Sequence, residues 1–413
     1  MRVNCCLTIS LALRRQIFRP IRPGWLSKSR RQRERSGARI SSRRSVGPQC
    51  RARGAGIGLM FLYLILVVSH GCQPTALPSA PPAPRQPPAA LPMALQRLAD
   101  AGASVLVDTH HKLLHTGTLI SFEKQGIAAD VVCEIRHTDG PVFLHFTGCC
   151  FAKGAFKSLD GMPNLVQLFI ADCGNDDDSL PDISILPGLR ELILRQGEAT
   201  DRGLAFLSSA KELMLLELVG FGISDRALAA IADHVRLTSV ILSSPGITDD
   251  GLPHLSRLTQ LRDLRLGSCS ITDAGLHHLT RLERLEVLVL DRTNITGAGF
   301  KDLRSLRSLK YLSLSRAKVN DAGLAGISTL DMLKAFNICH SAVTNEGLSQ
   351  LARMPSLGSL DIRDTRITDK GLARLPKSCR WAIDAMDTNV TEAARQVLPN
   401  AQITLGHDEI GYD

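Results

Sequence analysis

The same 24-residue pattern returns nine times in this chain. Openings of the form L-x-x-L-x-L begin at Leu165, Leu189, Leu213, Leu237, Leu261, Leu285, Leu309, Leu333 and Leu357. No other feature restricts the fold so tightly. A block this short cannot bury its own apolar face, so each copy must stack on the next and the chain becomes a solenoid.

The unit at residues 261–284 shows the logic. Leu264 and Leu266 alternate over a short extended run and share one face. Residues 267–270 turn the chain, and Ile271 returns to the core. Thr272 is placed to cap a short helix, and Asp273 in the first turn meets the positive end of its dipole. Leu276, Leu279 and Leu282 recur every three residues along one stripe. Each such side chain contributes roughly 1.5–3 kcal/mol when fully buried, but only a neighbouring unit can bury it. The pattern predicts one continuous parallel sheet of about eleven strands, with helices starting near Ser224, Thr248, Thr272 and Thr368.

Two columns carry further expectations. Glycine recurs at the fifteenth position, as in Gly203, Gly251, Gly275, Gly299, Gly323, Gly347 and Gly371. Stacked backbones should approach closely there. The ninth position holds small residues, among them Cys149, Cys173, Cys269, Thr293 and Thr365. These cysteines are expected to be buried and reduced, with the ninth side chain satisfying turn backbone rather than forming a bridge or holding a metal.

The opening, the small ninth residue and the I-T-D-x-G-L-x-x-L-x-x-L second half together resemble the leucine-rich repeat family. The variety is that of cysteine-containing and F-box-associated repeats and of many bacterial proteins. The resemblance implies an α/β fold, a right-handed horseshoe solenoid with the parallel sheet on its concave face and helices on its convex face. It specifies a fold far more than a function.

The formal charge of +9 is unevenly spread. Residues 1–55 hold fourteen Arg and one Lys against a single acid, Glu34. The basic pI therefore belongs to this head and not to the repeats. The head lacks periodicity and reads as disordered, either a miscalled start or a long basic region ahead of a signal sequence. Residues 57–69 are thirteen uncharged residues, short of the roughly 20 that span a bilayer and suited to a signal-peptide core. Ser69-His70-Gly71-Cys72 then closes a segment, 56–72, that resembles a bacterial lipobox. In that motif the Cys is lipidated and becomes the new N-terminus, so Cys72 is the lipidation candidate. Ser69 and His70 depart from the usual pattern, which leaves an uncleaved anchor or ordinary cleavage open. Residues 73–92 contain eight prolines and read as an extended linker. The expected location is exported and membrane-anchored, on the periplasmic or cell-surface side, or cytoplasmic if the signal is not functional.

Residues 93–140 depart from the repeat and read as an N-terminal cap, with repeats and a C-terminal cap over 141–413. At Arg380 the register slips by one residue. No phosphate loop, Cys-x-x-Cys pair, nucleophile elbow or His-Glu-x-x-His occurs. No catalytic, cofactor-binding or metal residue is assigned, and nothing in the solenoid calls for nucleic acid. His110, His111 and His115 in the cap, and Asp176, Asp177 and Asp178 in an irregular loop, read first as polar loops and only second as cation sites.

The third and fifth positions of each strand point away from the core. Apolar or interface-type residues there make Phe143, Phe169, Ile193, Leu215, Ile241, Arg265, Val289 and Tyr311 the candidate contacts. The alternative is that the cap or the twist of the sheet covers some of them. The expected function is a non-catalytic, protein- or polymer-binding scaffold tethered to a bacterial membrane. The alternatives are an F-box-like substrate adaptor of a ubiquitin ligase, or a recognition subunit of an enzyme.

Overall fold

A computed structural model describes residues 93–109, 116–152, 154–173, 177 and 186–406. The basic head, the segment with Cys72, the linker, His110, His111, His115, Asp176 and Asp178 lie outside the described residues.

The described chain opens with helix α1 (Met93–Asp100), then β1 (Ser104–Thr109) and β2 (Gly117–Glu123). β3 (Gly126–Ile127) and helix α2 (Ala129–Ile135) complete the cap. The following units contribute β4 (Val142–Thr147), β5 (Cys150–Phe151), β6 (Leu165–Ala171), β7 (Glu191–Arg195), β8 (Leu215–Val219) and β9 (Ser239–Ser243). Next come β10 (Asp263–Leu266), β11 (Val287–Val289), β12 (Tyr311–Ser313) and β13 (Ala335–Asn337). β14 (Ser359–Asp361), β15 (Ala382–Asp384) and β16 (Gln402–Thr404) finish the sheet. Fourteen of these strands form one sheet in chain order, while β3 and β5 make a separate pair.

The sheet is longer than the expected eleven strands, and it is not wholly parallel. β1 lies antiparallel on β2, and every later pairing is parallel. Connection length explains the exception. The short link after β1 can reverse the chain, whereas a parallel crossover takes about a dozen residues or more. Asp263 pairs with Val287 and Val287 with Tyr311, a shift of 24 residues each time. Leu119 in the cap pairs with Phe143 at the same shift, so the repeat phase runs one unit into the cap. Beyond Arg380 the shift drops to 23, with Ser359 opposite Ala382, as the register slip predicts.

One continuous core runs from Leu95 to Ile403. Leu264, Leu266, Ile271, Leu276, Leu279 and Leu282 of the reference unit are all fully buried within it. At the N-terminal end Phe122 and Phe146 stack with ring centroids 5.3 Å apart, and Phe156 meets Phe146 edge-on.

The helical side begins where the capping pattern places it. Ser224, Thr248, Thr272 and Thr368 each accept a bond from the backbone N–H two residues on. Several of these segments are 3-10 helices, Asp273–Leu279 among them. Leucines spaced by three residues suit a helix with three residues per turn.

The aspartate after the cap does more than meet a dipole. Asp225 accepts from the backbone N–H and the hydroxyl of Thr248 in the next unit, at 2.8 and 2.7 Å. Asp249 does the same to Thr272 at 2.9 and 2.6 Å, and Asp321 to Thr344. These rungs tie each unit to its successor, and they explain the glycine column. A Cβ on Gly251, Gly275 or Gly347 would overlap the carboxylate of Asp225, Asp249 or Asp321. Among the described residues one rung is missing. Gly297, at φ 101°, stands where the aspartate belongs. Its backbone packs against Gly323, whose own Cβ would run into the Thr296 carbonyl. Here backbone contact replaces the charged rung.

Candidate functional site

The side chains at positions three, five and seven of each strand form the open face of the sheet. Between them, positions four and six are buried, as Leu192, Leu194, Leu216 and Leu218 show. This is the two-residue alternation of a strand with one face in the core.

Of the candidate contacts, Phe169, Ile193, Leu215, Ile241, Arg265, Val289 and Tyr311 are half-buried on this face. Phe143 is different. It is 2% exposed, and its ring packs where Gly117 of the cap has no side chain. The cap therefore covers it, and it supports the face rather than offering contact.

A polar chain runs through the N-terminal part of the face. His145 Nε2 lies 2.6 Å from Gln167 Oε1, and Gln167 donates to Glu191. Burial lowers the His145 pKa and raises that of Glu191. The His145 ring lies 5.1 Å from the Phe169 ring. The Arg195 guanidinium sits 5.8 Å from the Phe169 centroid and bonds Glu217 at 2.5 Å. Beside this chain the apolar side chains of Ile193, Leu215 and Ile241 are presented from successive strands.

Arg265 marks the middle of the face. Its Nε and Nη2 both donate to the Asp263 carboxylate, at 2.9 and 3.0 Å. Burial opposes its charge, but Asp263 overrides that and holds its pKa above the ordinary value. The guanidinium is thus fixed in place before any ligand arrives. Asp291 accepts from the Ser313 hydroxyl at 2.6 Å and from the Ser315 N–H at 2.9 Å. Burial nonetheless raises its pKa. Burial, and then the nearby Asp291, raises that of Tyr311.

Farther along, the fifth position is polar and buried. Ser313, Asn337 and Asp361 are at most 3% exposed. Asn337 accepts from the Cys339 N–H at 2.9 Å. Asp361 accepts from Arg363 Nη2 at 2.8 Å. Columns three and five alone miss the residues at position seven: Arg195, Asp291, Ser315 and Arg363. Extending the same two-residue alternation by one step finds them.

The ninth-position cysteines are buried and unbridged, as expected: Cys149, Cys173 and Cys269. Their neighbours in the column use the turn as the small-residue reading requires. Thr293 donates to Leu290 O and Thr365 to Ile362 O, both at 2.6 Å. Cys149 and Cys173 touch, the Cys149 N–H lying 3.2 Å from the Cys173 sulfur. The neighbouring Cys173 thiol lowers the Cys149 pKa, and the Cys149 thiol, together with burial, raises that of Cys173. Among the described residues no three metal-ligating side chains converge, and no helix is long and apolar enough to cross a membrane.

Comparison with known proteins agrees with this geometry. The family model described as Leucine Rich repeat matches residues 305–328 and 353–375. An internalin, InlF, from Listeria monocytogenes is similar at 18% identity and a TM-score of 0.51, over 71% of this chain and 87% of its own. Internalin C2 of the same organism shares 23% identity over 55% of this chain and 83% of its own, with a TM-score of 0.35. A search of curated proteins found no significant match. With the 24-residue register, the single sheet and the helical side already described, the chain is an α/β leucine-rich-repeat solenoid.

Proposed function

We propose that this chain is a non-catalytic binding scaffold, that its open sheet face takes a protein ligand, and that its N-terminal segment tethers it to a bacterial membrane. One observation carries the ligand reading. Phe169, Ile193, Leu215 and Ile241 stand half-exposed on neighbouring strands, with Arg265 already clamped by Asp263 beside them. An apolar patch next to a pre-held arginine and a tyrosine is the composition of interface anchors. Pre-holding the arginine lowers the ordering cost of binding. The tether rests on the sequence alone: an apolar stretch too short to span, Cys72 at its end, and a proline-rich linker after it.

The two parts separate experimentally. An Ile193→Glu, Ile241→Glu double variant of the full chain, used as bait on envelope extracts, should keep its circular dichroism and lose the proteins that wild type captures. Equal capture by both baits would refute the sheet-face reading. For the tether, Cys72→Ser should release a soluble protein or leave an unprocessed precursor. A Cys72→Ser protein that stays on the membrane at wild-type mature mass would end the lipoprotein reading.

A further inference from the structure

The sheet has two ends, and they are built differently. β16 closes the C-terminal end with three residues, and its Gln402 and Thr404 are exposed. An edge that short is a poor template for further pairing. β1 closes the other end with six residues, Ser-Val-Leu-Val-Asp-Thr. An end strand points alternate backbone N–H and C=O groups outward, where a further strand would satisfy them.

Edge strands are ordinarily guarded by lysine, proline or shortness. β1 has none of these, and its middle is the apolar run Val105-Leu106-Val107. Leu106 is 53% exposed and Val107 46%, while Val105 packs against the core. Large apolar side chains stand exposed at only five positions among the described residues, and these two are neighbours on one strand. Pairing with β2 is regular from Ser104 to Leu106 and shifts only beyond it. The strand is thus anchored on one side and carries apolar surface beside an open edge on the other.

Only another strand can fill such an edge. The chain's own preceding segment fits poorly, because residues 73–92 contain eight prolines and proline cannot donate to a ladder. β16 of another copy would match three residues of six. β1 of another copy matches all of it. Antiparallel pairing is two-fold symmetric, so a strand can join its own copy in a closed, isologous interface. With the axis at Leu106, Leu106 faces Leu106, Val105 faces Val107 and Ser104 faces Asp108. Apolar residues then meet apolar residues, and the two copies of Asp108 fall at opposite ends of the pairing.

We propose that β1 is the pairing edge of a homodimer, in which two copies join β1 to β1 about a two-fold axis and merge their sheets. One strand edge is a small interface, so the dimer is weak and depends on concentration. It uses a sheet edge and does not rest on the ligand-binding reading of the sheet face.

The test uses the full chain in mild detergent. The edge variant is Leu106→Lys, Val107→Lys. The control is Val235→Lys, Met332→Lys, which makes the same charge change at two other exposed apolar positions. By sedimentation, wild type and control should dimerise as concentration rises, and the edge variant about tenfold or more weakly, since like charges then face each other across the pair. A short bis-maleimide should link Leu106→Cys into a covalent dimer whose joined peptides both carry position 106. Met332→Cys should give no link between its two copies of position 332. In wild type, amide exchange at Val105 to Val107 should slow with concentration.

A protein that stays monomeric at every concentration would overturn the proposal. So would a dimer that the edge variant leaves intact, because its interface lies elsewhere. Open polymers that lengthen with concentration would overturn it in favour of β1 on β16. Slow exchange in β1 that ignores concentration would mean that a segment of the same chain covers the edge. Should the lysine variant misfold, the cross-link and the wild-type exchange decide the matter without it.

Discussion

The two halves of the sheet are built on the same register yet present different faces. Strands β6 to β9 run five to seven residues, and β11 to β15 only three. The first group offers Phe169, Ile193, Leu215 and Ile241; the second has Ser313, Asn337, Asp361 and Asp384 at the fifth position. In β13 to β15 that position accounts for the short strand. Asn337 takes the N–H of Cys339, Asp361 that of Arg363 at 3.2 Å, and Asp384 that of Met386 at 3.4 Å. A side chain that bonds the backbone two residues on competes with the strand ladder, so the strand ends early. It also folds back on its own chain and has little left to offer a ligand. Isoleucine or phenylalanine at that position has no such bond to make, and the side chain stays available.

The helical side provides the baseline for this comparison, since both halves carry an Asp-to-Thr rung there, Asp225 to Thr248 and Asp321 to Thr344. Asp225→Ala in the first half and Asp321→Ala in the second should each cost about 3 kcal/mol, because each removes two charge-assisted bonds and strands their donors. Denaturant midpoints measure this, and unequal costs would mean that the halves differ behind the sheet as well as on it. On the sheet, Asn337→Val should cost about 1 kcal/mol and speed hydrogen exchange at the Cys339 amide. Unchanged exchange there would contradict the account of the short strands. Ile241→Asn should shift stability by less than about 0.5 kcal/mol while reducing ligand capture. A large loss of stability would instead assign Ile241 to the core.

The mildest expected change concerns the pH dependence of stability. Burial raises the Asp291 pKa, so the folded state holds its proton at pH values where the unfolded state, near pKa 3.9, has released it. Stability from this group is therefore highest below that window and declines as pH rises through it. Asp291→Asn keeps an acceptor for Ser313 and Ser315 and should flatten that decline. A melting-temperature profile against pH that is unchanged by the substitution would place the titration elsewhere.

Much of this was legible because a repeat samples the same environment many times. The caps at Ser224, Thr248, Thr272 and Thr368 follow from one residue type at one position, and so does the small ninth position at Cys149, Cys173 and Cys269. The glycine column was legible as a close approach, but its cause was not. The Asp249 carboxylate reaches Thr272 of the next unit, and the sequence suggested only a helix dipole. Phe143 read like Phe169 by position and differs because Gly117, 26 residues earlier, lies against it.

Sequence by itself determined the period, the alternation of buried and open side chains, the start of each helix and the one-residue slip at Arg380. These are local properties, set by spacing within a unit and repeated until chance was excluded. Tertiary structure alone decided the antiparallel first pair, the burial of Phe143 and the Asp-to-Thr rungs. Each of those depends on what the neighbouring unit or cap brings within bonding distance, and a one-dimensional pattern does not contain that distance.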